Sequence, residues 1–571
     1  MALSRHTSTR SITAAHSYKY RRFGILQPAQ ISSKNTLSTS GNQHIESSRA
    51  VARSMTESVA HPRLGAIADK LWEIFVNLLN RGKVPVTGPD KIAGRCPALR
   101  IRAAIFILSV AGVAQAQTSL PAARPMSADD SLTWHGITFY GVVDIGVQYE
   151  THGAPFNDYF ISGGSDIVQK NSNSSVFGVT SNPMSQSRVG LQGTESLHLL
   201  DLSAVFKVET YFNPASGQIS NALKSITQNN GRPLDAQSTN IDSSIAGQPF
   251  EQAIVGVTSP TYGMITFGRQ NTTLADLFAK YDPQQLSYAF SLLGLSGTPA
   301  GGGDTQDRRL DNSIKYSARL LDLLHFGAQY KFQNSSAQRY ATGGSGAFSA
   351  VEASAGIEYA GASADVFYTK VRDAILASPL SAAQVADLGN YGLTSDNSVA
   401  GTVSDNASYG AMASYDLAGI TAGTIPMTIY GAFQHITYMN PSIALPIGFD
   451  DINGYTLGAV NNTAFAKADK ILQVYWAGVR YAVTDQFTAA LAYYGEKQNA
   501  YATGNDAGCS SMIVSECSGH LNVASISLDY HLTKRFDAYV GAMWSNVSHG
   551  LAVGYLNTTL IDPTVGARFS F

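Results

Sequence analysis

From Trp134 onward the chain repeats one pattern: about ten residues of strict apolar–polar alternation, then a break. The first such stretch is GITFYGVVDIGVQYE, residues 136–150. Ile137, Phe139, Val143, Ile145, Val147 and Tyr149 share one phase, and Thr138, Tyr140, Asp144, Gln148 and Glu150 share the other. A period of two is the signature of a strand with one apolar and one wet face. Sixteen segments of this kind start near residues 136, 185, 200, 250, 262, 310, 323, 349, 362, 406, 425, 469, 486, 520, 535 and 561. An even number suits an up-and-down antiparallel barrel, in which every strand must find a partner on each side.

The connections sort by parity. Short ones are LHLLD near residue 199, SPTYG at 259–263, AGAS near 361, AVTDQ at 482–486 and LTKR at 532–535. Long Asn/Ser-rich ones span 151–184, 214–249, 272–309, 374–405, 439–468, 499–519 and 548–560. A soluble sandwich or propeller also alternates, but nothing requires its loops to alternate in length. A barrel in an outer membrane does so, with short turns toward the periplasm and long loops outward. Composition agrees. Only 14% of residues are charged, with 52 Gly, 28 Tyr and 24 Phe against 4 Trp, where a soluble domain is nearer one quarter charged. Mean hydropathy is −0.04. Beyond the segment discussed next no apolar run is long enough to span a membrane as a helix. The expected fold is all-β: a 16-stranded antiparallel transmembrane β-barrel over 134–571.

Charge marks a boundary ahead of the barrel. Residues 1–116 carry 16 Lys and Arg against 5 Asp and Glu; from chain totals of 39 and 41, the remainder holds 23 against 36, a net of −13. At the junction Arg100 and Arg102 precede the apolar run Ala103–Val113, and Ala114-Gln115-Ala116 makes an A-x-A cleavage site. Residues 99–116 thus read as a signal peptide, with Gln117 opening the mature chain and 117–133 a short N-terminal segment. Residues 1–98 read as a leader upstream of the true start, near Met55 or at a non-Met codon closer to Leu99. A long genuine leader is the alternative.

Cys96 falls in that leader. Cys509 and Cys517 lie in GNDAGCSSMIVSECSGH, and in an exported chain a pair this close reads as a local disulfide. A metal centre needs about four ligands and only His520 is near, so neither metal nor cofactor is expected.

Several stretches resemble the Gram-negative trimeric outer-membrane porins of the β-proteobacterial type. They are SRVGLQGTESL (187–197), YGMITFGRQ (262–270), RRLDNSIKYSA (308–318), GVRYAVTDQFTAALAYY (478–494), SISLDYHLTKRFDAYVGAMWSN (525–546) and the terminal VGARFSF. The resemblance covers nearly all of 134–571. It implies a homotrimer in outer-membrane lipid and lipopolysaccharide, with no nucleic-acid partner. It also implies a third long loop folded into the lumen, and passive diffusion of ions and small hydrophilic solutes rather than catalysis.

Strand phase turns Arg188, Lys207, Glu209, Lys315, Arg319, Glu352, Glu358, Arg480 and Arg568 inward. In the resembled family, acidic groups on the third loop face basic groups on the opposite wall. By that resemblance Asp276 and Asp282, with Asp304 and Asp307, belong to the loop side. Arg188, Lys207, Arg269, Arg308, Arg309 and Lys315 belong to the basic side, although the phase of Arg269 matches Ile265 and Phe267. The acidic body predicts weak cation selectivity. Tyr149, Tyr211, Phe212, Tyr438, Tyr493, Tyr494 and Trp544 lie near strand ends and read as interfacial girdles.

Two other readings stay open. A barrel enzyme needs a nucleophile motif such as G-x-S-x-G, and His325, His435, His520, His531 and His549 occur without one. An adhesin or receptor would use the long loops. The terminal Phe571 reads, by the same resemblance, as the signal taken by the barrel-assembly machinery.

Overall fold

The computed structural model describes residues 132–571 apart from 165, 240–249, 295–308, 333–348, 422, 448–450, 453, 466–468 and 502–516. Sixteen strands close into one antiparallel ring. They are β1 Ile137–Gly153, β2 Arg188–Leu199, β3 Leu202–Tyr211, β4 Gln252–Ser259, β5 Gly263–Asn271, β6 Arg309–Leu320, β7 Leu324–Lys331 and β8 Ser349–Tyr359. The second half holds β9 Ala362–Ser378, β10 Ser398–Asp416, β11 Met427–Met439, β12 Lys470–Ala482, β13 Phe487–Gln498, β14 Gly519–His531, β15 Phe536–His549 and β16 Thr559–Ser570. Each strand pairs with its successor, and β16 returns to β1 from Val142↔Ser570 to Gln148↔Thr564. Closure leaves no unpaired edge facing hydrocarbon, where a lost hydrogen bond costs several kcal/mol. No described helix is long and apolar enough to cross a membrane.

Fifteen of the sixteen starts fall within three residues of those read from alternation. The exception is β10, which begins at Ser398 rather than near 406. Its first residues pair parallel with Tyr455–Asn462 from the long connection between β11 and β12 and antiparallel with the end of β9. Buried on both faces, this stretch carries little alternation to read. Two further departures are in length. The connection from Lys331 to Ser349 is long as well, and that between Asp416 and Met427 is the longest at the periplasmic end.

The tightest turns follow backbone chirality. Leu200-Asp201 and Ala360-Gly361 link their strands with two residues, all four at positive φ. Such mirror-image turns match the right-handed twist of a hairpin.

Outside, the barrel is apolar: Val255, Val366, Leu491 and Val565 are each more than half exposed. Of the expected girdle, Tyr149, Tyr493 and Trp544 point outward at 42%, 41% and 39% exposure. Tyr211, Tyr438 and Tyr494 do not. Their strand phase is that of the lumen, and they are 6%, 3% and 0% exposed. Phe212 leaves the wall to bridge Ile219 at the start of loop 2.

Candidate functional site: the lumen and its inward loops

The third long loop begins on β5 and runs along the inner wall. Helix α2 (Thr273–Tyr281; α1 is Ala222–Gln228 in loop 2) is N-capped by Thr272, whose hydroxyl accepts from the Ala275 N–H. The free N–H groups of its first turn are met by lumen side chains: Thr273 donates to Gln329 at 3.0 Å and Leu274 to Glu352 at 3.2 Å. Those wall acceptors replace the partners that the first turn of any helix lacks. The apolar stripe Leu274, Leu277, Phe278 and Tyr281 packs outward on the wall, with the Phe278 ring edge-on to Trp476 at 5.5 Å.

Asp276 is ion-paired with Lys315 on β6. Lys280 reaches Glu358 at 2.6 Å and Asp365 at 3.1 Å, and the same carboxylates take Arg319 and His325. The helix ends on Asp282. This residue is 1% exposed and accepts from Gln284 N, Leu286 N, the Ser291 hydroxyl and the Tyr494 hydroxyl. Asp282 is therefore not presented to water across the lumen, as its sequence position suggested; four converging donors make it the knot of the loop. Burial pushes its carboxyl above the usual range, against the pull of those hydrogen bonds. Beyond it Gln284 bonds Ser525 and Ser527, and Phe290 packs on Tyr539. The loop thus follows the inner wall from β6 round to β15.

The first long loop also lies inside, which nothing in its composition announces. Phe160, Ile161, Ile167 and Val168 join the apolar cluster of the third loop, and Val168 N donates to Ser545 on the lumen face of β15 at 3.0 Å. The loop returns through a strand, Ser174–Ser181, paired to the upper part of β1. Residues 182–187 then leave the wall before β2 resumes. Asp144 holds this inward step, accepting from Met184 N at 2.9 Å, from Ser185 N and from Tyr539. Tyr288 of the third loop donates to Gln186.

Facing the third loop are the basic groups of β2–β6. Glu209 binds Lys207 at 3.3 Å and Arg188 at 3.6 Å; Glu251 binds Arg309 at 3.2 Å and Arg269 at 3.6 Å. Arg269 reaches this cluster although its ladder phase is outward, because the register shifts between Gly268 and Gln270, with Gly268 at φ +120°. Arg309 also donates to the Tyr211 hydroxyl and lies 4.6 Å over that ring. Lower down, Arg568 bonds Asp537 at 2.7 Å and Asp529 at 3.3 Å, and His531 bonds Asp537 at 2.6 Å.

These surfaces bound a cavity of about 400 Å³. Ala275, Ala279, Gln285 and Leu286 supply its third-loop side; Arg188, Tyr211 and Arg309 face them; Arg480, Lys534, Arg535 and Arg568 line the rest with Asp529 and Asp537. Six Lys and Arg thus stand against two Asp among the described lining residues. Of the basic residues named from the sequence, Arg188 and Arg309 line it among the described residues, and the described part of the third loop turns small or neutral side chains to it. Asp304, Asp307 and Arg308 lie outside the described residues, as does Cys509; Cys517 is buried and disulfide-bonded. Arg480, Lys534 and Arg535 were missed as site residues. Arg480 was legible as inward from its phase, whereas Lys534 and Arg535 sit in a turn, where alternation carries no signal.

Among proteins of known sequence, the chain is 28% identical over 231 residues to an outer membrane porin protein of Bordetella pertussis, covering 40% of this chain and 47% of that one. The chain thus spans about half the length of the curated relative it matches. Among solved structures it is similar to the anion-selective porin of Comamonas acidovorans, with 16% identity, 76% of this chain and 99% of that one covered, and a TM-score of 0.46. It is also similar to in-vitro folded OmpT of Vibrio cholerae, with 14% identity, coverage of 77% and 100%, and a TM-score of 0.43. The family model of the Gram-negative porins matches residues 103–550. With a closed 16-strand barrel and an inward third loop, this chain belongs to the Gram-negative porin family and to the outer membrane.

Proposed function

We propose that the barrel is a water-filled pore for passive diffusion of ions and small hydrophilic solutes, with no catalytic role. The observation that carries this reading is the charged cavity between the third loop and the wall of β2–β6. A wall meant only to fold would not keep so many cations in water within the barrel. Planar-bilayer recording tests the proposal: stepwise openings are expected, in threes if the unit is the homotrimer typical of the resembled family. A silent barrel would instead favour a receptor or adhesin built on the long loops.

Selectivity has two readings. The acidic excess of the body favours cations at the mouth, as the sequence suggested. The lining favours the opposite, and we give it precedence. An ion inside the cavity lies within a Debye length, about 8 Å at physiological salt, of the basic groups there, whereas charges on distant loops are screened. The pore is therefore proposed to prefer anions weakly. Reversal potentials in a salt gradient decide, and a cation preference would restore the first reading.

Four further assignments belong with this proposal. Residues 99–116 act as the export signal, so the mature protein starts at Gln117. N-terminal sequencing checks this, and recovery of residues 1–98 in the membrane protein would overturn it. Cys509 and Cys517 close a local disulfide in the seventh loop, which alkylation and mass measurement before and after reduction would test. The barrel also contacts lipopolysaccharide, and the assembly machinery reads its last strand.

A further inference from the structure

Near the periplasmic end of the lumen the wall gathers two carboxylates and an imidazole. Asp529 and His531 lie two residues apart at the end of β14, and Asp537 on β15 stands opposite His531 in the ladder. Asp529 and Asp537 are 3% and 7% exposed. All three residues line the cavity described above, so lumen water has a path to them. One donor atom from each lies within 4.8 Å of the other two, and no other set of three His, Cys, Asp or Glu side chains gathers in this way among the described residues.

The two oxygens of each carboxylate have different neighbours. Arg568 takes the Oδ2 atoms, donating to Asp537 at 2.7 and 3.0 Å and to Asp529 at 3.3 Å. The Oδ1 atoms turn to the imidazole: His531 Nδ1 lies 2.6 Å from Asp537 Oδ1 and 3.8 Å from Asp529 Oδ1. The longer distance is beyond a hydrogen bond, and Asp529 Oδ1 is enclosed without a hydrogen-bond partner. One imidazole N–H serves one oxygen, whereas an ion between them would serve both. Asp365, the other lumen carboxylate bound to a His, has no such gap: His325 takes its Oδ1, and Lys280 and Tyr281 take its Oδ2. An enclosed polar oxygen without a partner costs free energy, and a metal ion relieves that cost.

We infer that Asp529, His531 and Asp537 form a binding site, entered from the lumen, for a divalent transition-metal ion of the zinc class. Its donors are one imidazole nitrogen and two carboxylate oxygens, which such ions take at about 2.0–2.2 Å. Donors of a tetrahedral ion at those lengths stand about 3.4 Å apart, between the 2.6 and 3.8 Å found here. Nδ1 binds the ion in place of Asp537 Oδ1, and three protein donors leave a position for lumen water. Arg568, on the outer oxygens, fixes the carboxylates as an outer-shell partner does. Arg480 and Arg568 also line this part of the cavity and repel a further cation. Binding therefore rests on the bond to imidazole more than on charge, which disfavours calcium, an ion that takes oxygen donors alone. This inference does not depend on the pore reading, since its readout is binding rather than conductance.

The test uses the untagged mature protein, purified in detergent, stripped with EDTA and titrated calorimetrically with ZnCl2. Cu2+ at one equivalent serves as a spectroscopic probe. Saturable Zn2+ binding is expected that excess Ca2+ does not displace, and the paramagnetic resonance of bound Cu2+ should show coupling to a single imidazole nitrogen. His531→Gln should weaken Zn2+ binding by about tenfold or more, and Asp529→Asn likewise. His549→Gln, at the His520–His549 pair whose rings lie 6.2 Å apart, should bind as the wild type does. Wild-type protein without saturable Zn2+ binding overturns the site. So do wild-type affinity in His531→Gln, displacement by Ca2+, or loss of the binding in His549→Gln. Should Asp529→Asn fail to assemble, His531→Gln decides, because it leaves both carboxylates on Arg568.

Discussion

Glu209 serves two cations, Arg188 and Lys207, and Glu251 serves Arg269 and Arg309. Each cluster thus keeps one positive charge in excess, and that surplus is what a permeating ion meets. Arg188→Gln removes one such charge without creating a new one. It should move the reversal potential toward cations while leaving assembly intact; an unchanged potential would show that Arg188 is only structural. Asp282 has a different part. Burial raises its pKa, so the stability it contributes is full below the ordinary carboxylate pKa and is lost as pH rises through the raised value. Asp282→Asn does not titrate. The unfolding-temperature advantage of wild type over this variant should therefore shrink with rising pH through the acid range, and a widening gap would refute the assignment. The inward direction of Arg188, Lys315 and Arg568 was legible because a strand has a period of two. Their pairings were not. Glu251, just ahead of β4, meets Arg309 at the start of β6, and no local pattern encodes such a contact.

At the scale of elements, strands were legible and loops were not. Alternation placed β6 and β13 within a residue of their starts because each has one face in hydrocarbon and one toward the lumen. It failed at the upper end of β10, where both faces are covered. The inward fold of the third loop was expected only from resemblance, and that of the first loop was not expected. Both depend on lumen acceptors far away in sequence, such as Glu352 for the helix N-terminus and Asp144 for residues 184–185. The Asp144 carboxylate holds the step in the wall before β2 by two main-chain N–H groups and the Tyr539 hydroxyl. Asp144→Ala leaves those donors buried without an acceptor, at a cost of about 1–3 kcal/mol for each. The step should loosen and Tyr288 of the third loop lose its fixed partner Gln186. Single-channel recording should then show noisier openings, and a quiet wild-type-like channel would argue that the third loop holds its position alone.

For the whole molecule the decisive event is closure, and it concentrates at the end of the chain. Phe571 exchanges main-chain hydrogen bonds with Gly141 at 2.9 and 3.0 Å, and its ring lies 5.5 Å from Phe139. A Cβ on Gly141 would strike that ring at 2.3 Å, so the glycine leaves the space the terminal aromatic fills. The last residue is thus a seam contact at the periplasmic rim, whether or not an assembly machinery reads it. The two roles separate by experiment. Phe139→Ala removes the ring contact and leaves the C-terminus untouched, whereas deletion of Phe571 removes both. If the terminal aromatic is a signal, the deletion should strongly reduce the amount of folded, heat-modifiable protein in the outer membrane while Phe139→Ala assembles near normally. The few deleted barrels that insert should conduct as wild type, because Phe571 only edges the cavity. Equal defects in both variants would reduce its role to packing at the seam, since the one contact they both lack is that pair of rings.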